Sequence, residues 1–264
     1  MRARTRDASP AATSAGVGTP AAPEASGRTA RHAGGMSGRD PGERVRVPLS
    51  LQRWERITFV HWRYPPEALQ PFVPPGLELQ VLHGSAWVGM TPFVLSRLRF
   101  PGLPPVPGWS SFAEVNLRTY VTGGGHEGIW FLRVHCARRL VTAAFRAVVG
   151  LPYVYTAGSA ATQGGTTTYG LAGTRVAVQQ GSGVAPDPLL ETLTGRFNAF
   201  TRRAGRLWRV PVEHPPWPLH DARLLRLRTD MLSLAGLPQP DGEPMVHFSP
   251  GVDVRLGAPR PVRR

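Results

Sequence analysis

SFAEVNLRTYV, residues 111–121, alternates with the two-residue period of a β-strand: Glu114, Asn116, Arg118 and Tyr120 share one face, and Val115, Leu117, Thr119 and Val121 the other. The apolar face is built to pack. A face with an acid, an amide and a guanidinium in register either meets water or lines a site that binds and protonates a small polar molecule. Glu114 and Arg118 stand two strand steps apart, about 7 Å by strand rise, close enough to pair or to hold a ligand between them. Inside a barrel, desolvation raises the carboxyl pKa and a guanidinium lowers it, which leaves a tuned acid or base. In water the same pair contributes little. The other face has the residues expected to pack outward against helices, which favours the interior reading.

Around this strand the pattern continues. Gly123, Gly124 and Gly125 turn the chain into GIWFLRVH, and the proline-rich FPGLPPVPGWSS before it reads as an irregular crossing loop. RWERITFVHWRY alternates as a strand, with Trp54, Arg56, Thr58, Val60 and Trp62 opposite Glu55, Ile57, Phe59 and His61. LELQVL and AWVGMTPFVLSRLRF, separated by His83, Gly84 and Ser85, read as a hairpin, and PPEALQPFV as a short helix at most. ARRLVTAAFRAVVG predicts a helix whose inward face is Leu140, Ala143, Ala144, Ala147 and Val148, stopping at Gly150. TTTYGLAGTRVAVQQ predicts a hairpin turning at Ala172 and Gly173. A second helix opens at the N-cap Asp187 with Pro188 in its first turn and runs to about Arg203. RLWRVPVEH, DARLLRLR, MVHFS and GVDVRL read as strands, with a short helix near Asp230 to Leu234. Many strands and two or three peripheral helices without regular alternation predict an α+β domain whose antiparallel sheet closes into a barrel.

The formal net charge of +14 invites a nucleic-acid reading, so its location matters. Residues 1–46 hold eight Arg against four acids, a net of +4, which leaves +10 scattered over the rest of the chain. Nucleic-acid binding through such scattered arginines lacks a recognisable module and ranks last. All 31 basic residues are Arg, and the chain has no lysine, so imine catalysis by a side-chain amine is ruled out. Residues 1–45, rich in Ala, Gly, Pro and Arg and free of aromatic residues, read as a disordered tail, and Met36 offers a second start; residues 46–264 read as one domain. No uninterrupted apolar run of about 18 residues exists, and no h-region follows the N-terminus, so no membrane association and a cytoplasmic location are expected. Cys136 stands alone and reads as a small packed hydrophobe.

Among other candidates, His61 lies between aromatic residues, where a histidine is more often a hydrogen-bonded core residue than a catalyst. HPPWPLH, residues 214–220, places His214 and Trp217 on a rigid turn suited to a pocket wall; metal ligation there lacks a third converging ligand. No zinc spacing, phosphate-binding loop, nucleophile elbow or dinucleotide fingerprint is present.

The succession WERITFVHWRY, LQPFVPPGLEL, GSAWVGMTPF, FAEVNLRTYV, GIWF, GLPY, HPPWPL and HFSPGVDV resembles the YqjF-like family of bacterial proteins over about residues 50–258. That resemblance implies an acetoacetate decarboxylase-like fold, a barrel with peripheral helices around a small-molecule cavity. SFAEV is similar to the decarboxylase strand bearing an active-site glutamate, and FRAVVGLPYV to the segment bearing an arginine and paired lysines. By that match Glu114 takes the glutamate position, Arg146 the arginine, and Tyr153 and Val154 the lysines, so Schiff-base decarboxylation is not expected. The expectation is therefore a cavity for a small organic acid or carbonyl compound, with Glu114 as acid or base. Arg118, Asn116, Arg146, Tyr153, His61, Trp217 and His214 would bind the ligand; no cofactor or metal is implied. Turnover, of lyase or isomerase type, and a non-catalytic ligand sensor both stay open, as does the oligomeric state.

Overall fold

The computed structural model describes residues 43–262; residues 1–42, where most of the expected tail falls, lie outside the described residues. Glu43 and Val45, which the sequence reading gave to the tail, are packed. Val45 is buried and its N–H donates to Glu213, while Glu43 pairs with Arg209 at 2.9 Å and with Arg260.

The chain runs through β1 (Pro48–Tyr64), α1 (Pro66–Leu69), β2 (Glu78–Leu79), β3 (Ala86–Arg99), β4 (Phe112–Gly123), β5 (His126–Cys136), α2 (Arg139–Val148) and β6 (Tyr153–Tyr155). Then come β7 (Gly158–Gln163), β8 (Thr166–Leu171), β9 (Thr174–Gly183), α3 (Pro188–Thr194), β10 (Asn198–Arg203) and β11 (Arg206–Glu213). Last are β12 (His220–Thr229), α4 (Met231–Leu234), β13 (Met245–Gly257) and β14 (Arg260–Pro261). The main sheet orders its strands β14-β11-β10-β5-β4-β3-β1-β13-β12-β9-β8-β7. One additional pairing, Val212 with Leu256 and Glu213 with Arg255, joins β11 to β13. The sheet is mainly antiparallel, but β5 runs parallel to both β10 and β6, which corrects the purely antiparallel expectation.

The glycine turns form as their chemistry requires. Gly124 and Gly125 adopt φ of 56° and 77° between β4 and β5, the left-handed pair that a two-residue hairpin needs. Asp187 caps α3, its Oδ1 accepting from the Leu190 N–H at 2.7 Å. That helix stops at Thr194 with Gly195 as its C-cap, and residues 198–203 are strand β10; the helix expected as far as Arg203 is corrected. The expected hairpin of LELQVL with AWVGMTPFVLSRLRF does not form: β2 pairs with β4, and only a Leu82–Ser85 bridge marks the turn.

Strand β1 carries a fault that period-two reading misses. Its register against β3 slips between Glu55 and Val60, and Arg56 sits at φ 49°. One extra residue there turns Trp54 to the same side as Ile57 and Phe59, a β-bulge reversing the face of everything before it. Both faces of β4 are buried. Glu114, Asn116 and Arg118 look to one side; Val115 and Leu117 pack on the other with Tyr169, Val176, Val178, Met231 and Leu232. That second face therefore meets β8, β9 and α4, more strand than helix, which corrects the expectation of helices alone.

The helix α2 forms where expected, yet its inward face differs. Val141, Phe145 and Val149, spaced by four, turn inward, and Leu140, Ala143, Ala144, Ala147 and Val148 are exposed. Both stripes are apolar, so sequence periodicity alone did not separate them. No helix among the described residues is long and apolar enough to cross a membrane.

Candidate functional site

On the inner side of β4, Glu114, Asn116 and Arg118 line a cavity of about 60 Å³. Trp54, Ile57 and Phe59 of β1, Thr91 and Phe93 of β3, Phe131 of β5 and Tyr153 of β6 contribute further wall. The register of β5 against β4 slips where Leu117 pairs with Arg133 and Arg118 with Phe131, leaving Leu132 as the extra residue on β5, while the alternation of Glu114, Asn116 and Arg118 on β4 runs unbroken.

The polar groups of this wall are unusually short of protein partners. Glu114 Oε2, Asn116 Oδ1 and Arg118 Nε are buried and have no hydrogen-bond partner among the described residues. Buried polar atoms normally find one, because leaving such a group unpaired costs about 1–3 kcal/mol. Glu114 Oε1 accepts from the Tyr153 hydroxyl at 3.2 Å. Burial pushes the Glu114 carboxyl up to about 8, against the Tyr153 hydrogen bond, which pulls it down. It is thus mostly protonated at neutral pH and is able to donate as well as accept. Burial also drives the Tyr153 hydroxyl well above its ordinary range, and the Glu114 charge adds to this. Cys136, opposite Glu114 on β5, is a buried thiol pushed up to about 12 by desolvation and then by Glu114.

Arg118 forms no ion pair among the described residues; its guanidinium lies 5.8 Å from the Phe59 ring centre. Arg196, in the turn between α3 and β10, is a second buried guanidinium on the same cavity. It pairs with Glu127 at 3.0 Å and lies over the Tyr120 ring at 5.0 Å, while its Nε and one terminal nitrogen have no partner. Sequence reasoning missed Arg196 because it stood inside a helix extended too far. Gly195, the stop signal directly before it, was the available clue.

The remaining wall is aromatic. Trp54 stacks on Trp217 with ring centres 6.2 Å apart, Phe59 meets Trp217 edge-on at 5.2 Å, and His214 lies 4.8 Å from Trp217. Trp217 donates its indole N–H to the Thr194 carbonyl at 3.0 Å. His214 Nδ1 donates to the Pro215 carbonyl at 2.8 Å, and burial lowers its pKa to about 4, so it stays neutral.

Six of the eight sequence candidates therefore share one chamber: Glu114, Asn116, Arg118, Tyr153, His214 and Trp217. The other two do not line it. His61 sits behind Phe59, its Nε2 hydrogen-bonded to the Tyr120 hydroxyl at 2.7 Å, and desolvation lowers its pKa well below the usual value. Arg146 is exposed on α2 and reaches the Tyr153 carbonyl from outside at 3.4 Å, because Phe145 takes the inward position of that turn. Among the described residues, no group of three His, Cys, Asp or Glu side chains is placed to hold a metal ion.

A family model described as DUF2071, uncharacterized conserved protein (COG2071), matches residues 51–253. The chain belongs to this family. The DUF2071 chain is also 30% identical to the uncharacterized protein YqjF of Bacillus subtilis (strain 168) over 233 residues, which cover 83% of this chain and 96% of YqjF. Among solved structures, an acetoacetate decarboxylase superposes with a TM-score of 0.59 at 14% identity, covering 82% of this chain and 90% of that one. The enduracididine biosynthesis enzyme MppR complexed with pyruvate gives 0.58 at 14% identity, covering 82% and 91%. An acetoacetate decarboxylase-like enzyme from Sphingomonas wittichii RW1 gives 0.58 at 14%, covering 82% and 94%. At these identities the likeness establishes the fold alone: a mostly-sheet architecture with few helices, similar to the acetoacetate decarboxylase-like structures.

Proposed function

We propose that this DUF2071 protein binds a small organic acid or carbonyl compound in the β4 cavity, with Glu114 exchanging a proton with it. The observation carrying this reading is the row Glu114, Asn116 and Arg118, three buried groups on one strand face with polar atoms that have no hydrogen-bond partner among the described residues. A carboxylate ligand would answer Arg118, and a carbonyl or hydroxyl would answer Asn116 and the protonated Glu114. Pyruvate bound to MppR, a protein of like fold, supports a ligand of this class. We read strands β1, β3, β4, β5, β10, β11 and β13 as a closed barrel around that ligand, supported by the pairing of β11 with β13. Without lysine no imine forms, so the chemistry in this reading is acid–base, with the Tyr153 hydroxyl holding Glu114 in place. A cytoplasmic location is part of the same reading.

Calorimetry with pyruvate, acetoacetate and short carboxylates, together with solvent-deuterium exchange at carbons next to their carbonyls, tests it. Saturable binding is expected, weakened at least about tenfold by Arg118→Met through loss of a charge-assisted hydrogen bond. Exchange should vanish in Glu114→Gln while the ligand still binds. Carboxylate affinity should also fall as pH rises through about 8, where Glu114 ionises and repels the anion, and Glu114→Gln should remove that dependence. Absence of carboxylate binding would end the proposal; binding without exchange would reduce it to a ligand sensor.

A further inference from the structure

A second concavity lies on the outer side of α2. It is a groove of about 240 Å³ between that helix and the proline-rich loop 100–110, walled by Leu98, Leu103, Val106, Leu140, Ala144 and Val148. Leu103 is 59% exposed, Leu140 66% and Phe100 62%, so the groove and its rim form a larger apolar surface than scattered single residues would. Arg99 is the one charged side chain among the residues lining it. The groove and the β4 cavity have a single lining residue in common, Phe145. Its ring lies 5.3 Å from that of Tyr153, the residue bonded to Glu114.

The geometry points to a ligand with a polar head and an aliphatic tail: the head occupies the β4 cavity, and the tail passes Phe145 into the groove along α2. This inference rests on the proposed function and names its substrate class as unbranched acids of medium chain length. The cavity alone is too small for them, and the groove wall is largely apolar: beyond Arg99 its polar side chains are Ser50 and Ser110, whose hydroxyl oxygens already accept from Gln52 Nε2 at 2.9 Å and from the Val106 N–H at 2.8 Å. The chain's own residues 1–42 do not suit the groove, for they contain no leucine, isoleucine or aromatic side chain to fill it. A second copy would bring its own Arg99 to the same face, like charge against like.

The test is calorimetric titration of the full-length protein with straight-chain monocarboxylates from butanoate to decanoate, below their micellar concentrations. Affinity is expected to rise about three- to fourfold for each added methylene until the groove is filled. Leu103→Asp and Leu140→Asp, both at exposed positions, should cancel that rise and leave butanoate affinity unchanged. A flat dependence on chain length with butanoate still bound overturns the tail site while the carboxylate cavity stands. Failure of every acid to bind, butanoate included, instead removes the underlying reading. If Leu140→Asp changes the oligomeric state in sedimentation and chain length has no effect, the groove is an interface between copies and the inference fails.

Discussion

Glu114 is held in a place that favours its neutral form, and this has a consequence for stability. Its folded-state pKa of about 8 stands above the ordinary value of 4.5, so below about pH 4.5 both folded and unfolded chains hold the proton and nothing is lost. As pH rises from there to about 8, the unfolded chain releases its proton first and the folded state loses stability, by up to about 1.4 kcal/mol per pH unit. Glu114→Gln should therefore match the parent near pH 4.5 and exceed it by a few kcal/mol near pH 8 in urea unfolding; equal midpoints at both pH values would refute the assignment. A second residue is fixed by space alone. A Cβ on Gly89 would stand 2.7 Å from the Tyr120 hydroxyl and 3.1 Å from His61 Cδ2, so the His61–Tyr120 hydrogen bond fits only against a glycine. Gly89→Ala is expected to cost about 1–3 kcal/mol by overpacking, read as a lowered thermal midpoint. The polar row of β4 was legible in the sequence because a period of two is local. The distance of Arg146 from the cavity was not, because a neighbour, Phe145, takes the inward side of the helix.

Elements show the same division. Helix α3 announced its start in Asp187 and Pro188, and the cap bond forms as expected; Asp187→Ala should cost about 1 kcal/mol in equilibrium unfolding, with an unchanged midpoint counting against the cap. Its end is not legible in the same way, because Asn198–Arg203 has no strong alternation of its own and becomes strand only by pairing with β11 and, at Ala199 and Phe200, with β5. Strand β1 was recognised as a strand, yet its facing was not settled by its sequence. The bulge at Arg56 is held by a tertiary contact, for the Tyr169 hydroxyl donates to the Arg56 carbonyl and also bonds Thr58 Oγ1 at 2.9 Å. Tyr169→Phe should loosen the bulge and, through Trp54, weaken carboxylate binding by severalfold; unaltered affinity would show that the bulge stands without that hydroxyl.

At the scale of the whole molecule, the sheet is unequal in its protection. The β4 strand is buried on both faces and paired on both sides, whereas β7, at the end of the strand order, is exposed along almost its whole length. Hydrogen exchange should therefore be slowest in β3, β4 and β5 and fast in the outer amides of β7; uniform protection would contradict this order. By itself the sequence determined the excess of strands over helices, the family resemblance, the glycine turns, the α3 cap and the absence of a lysine amine, since each depends on a residue type or on a spacing of a few positions. Tertiary structure alone decided which side of β1 faces the cavity, which stripe of α2 turns inward, and that Arg196 joins Arg118 in the wall. Those outcomes depend on which surfaces meet across more than a hundred residues, and chain-local periodicity has no term for that.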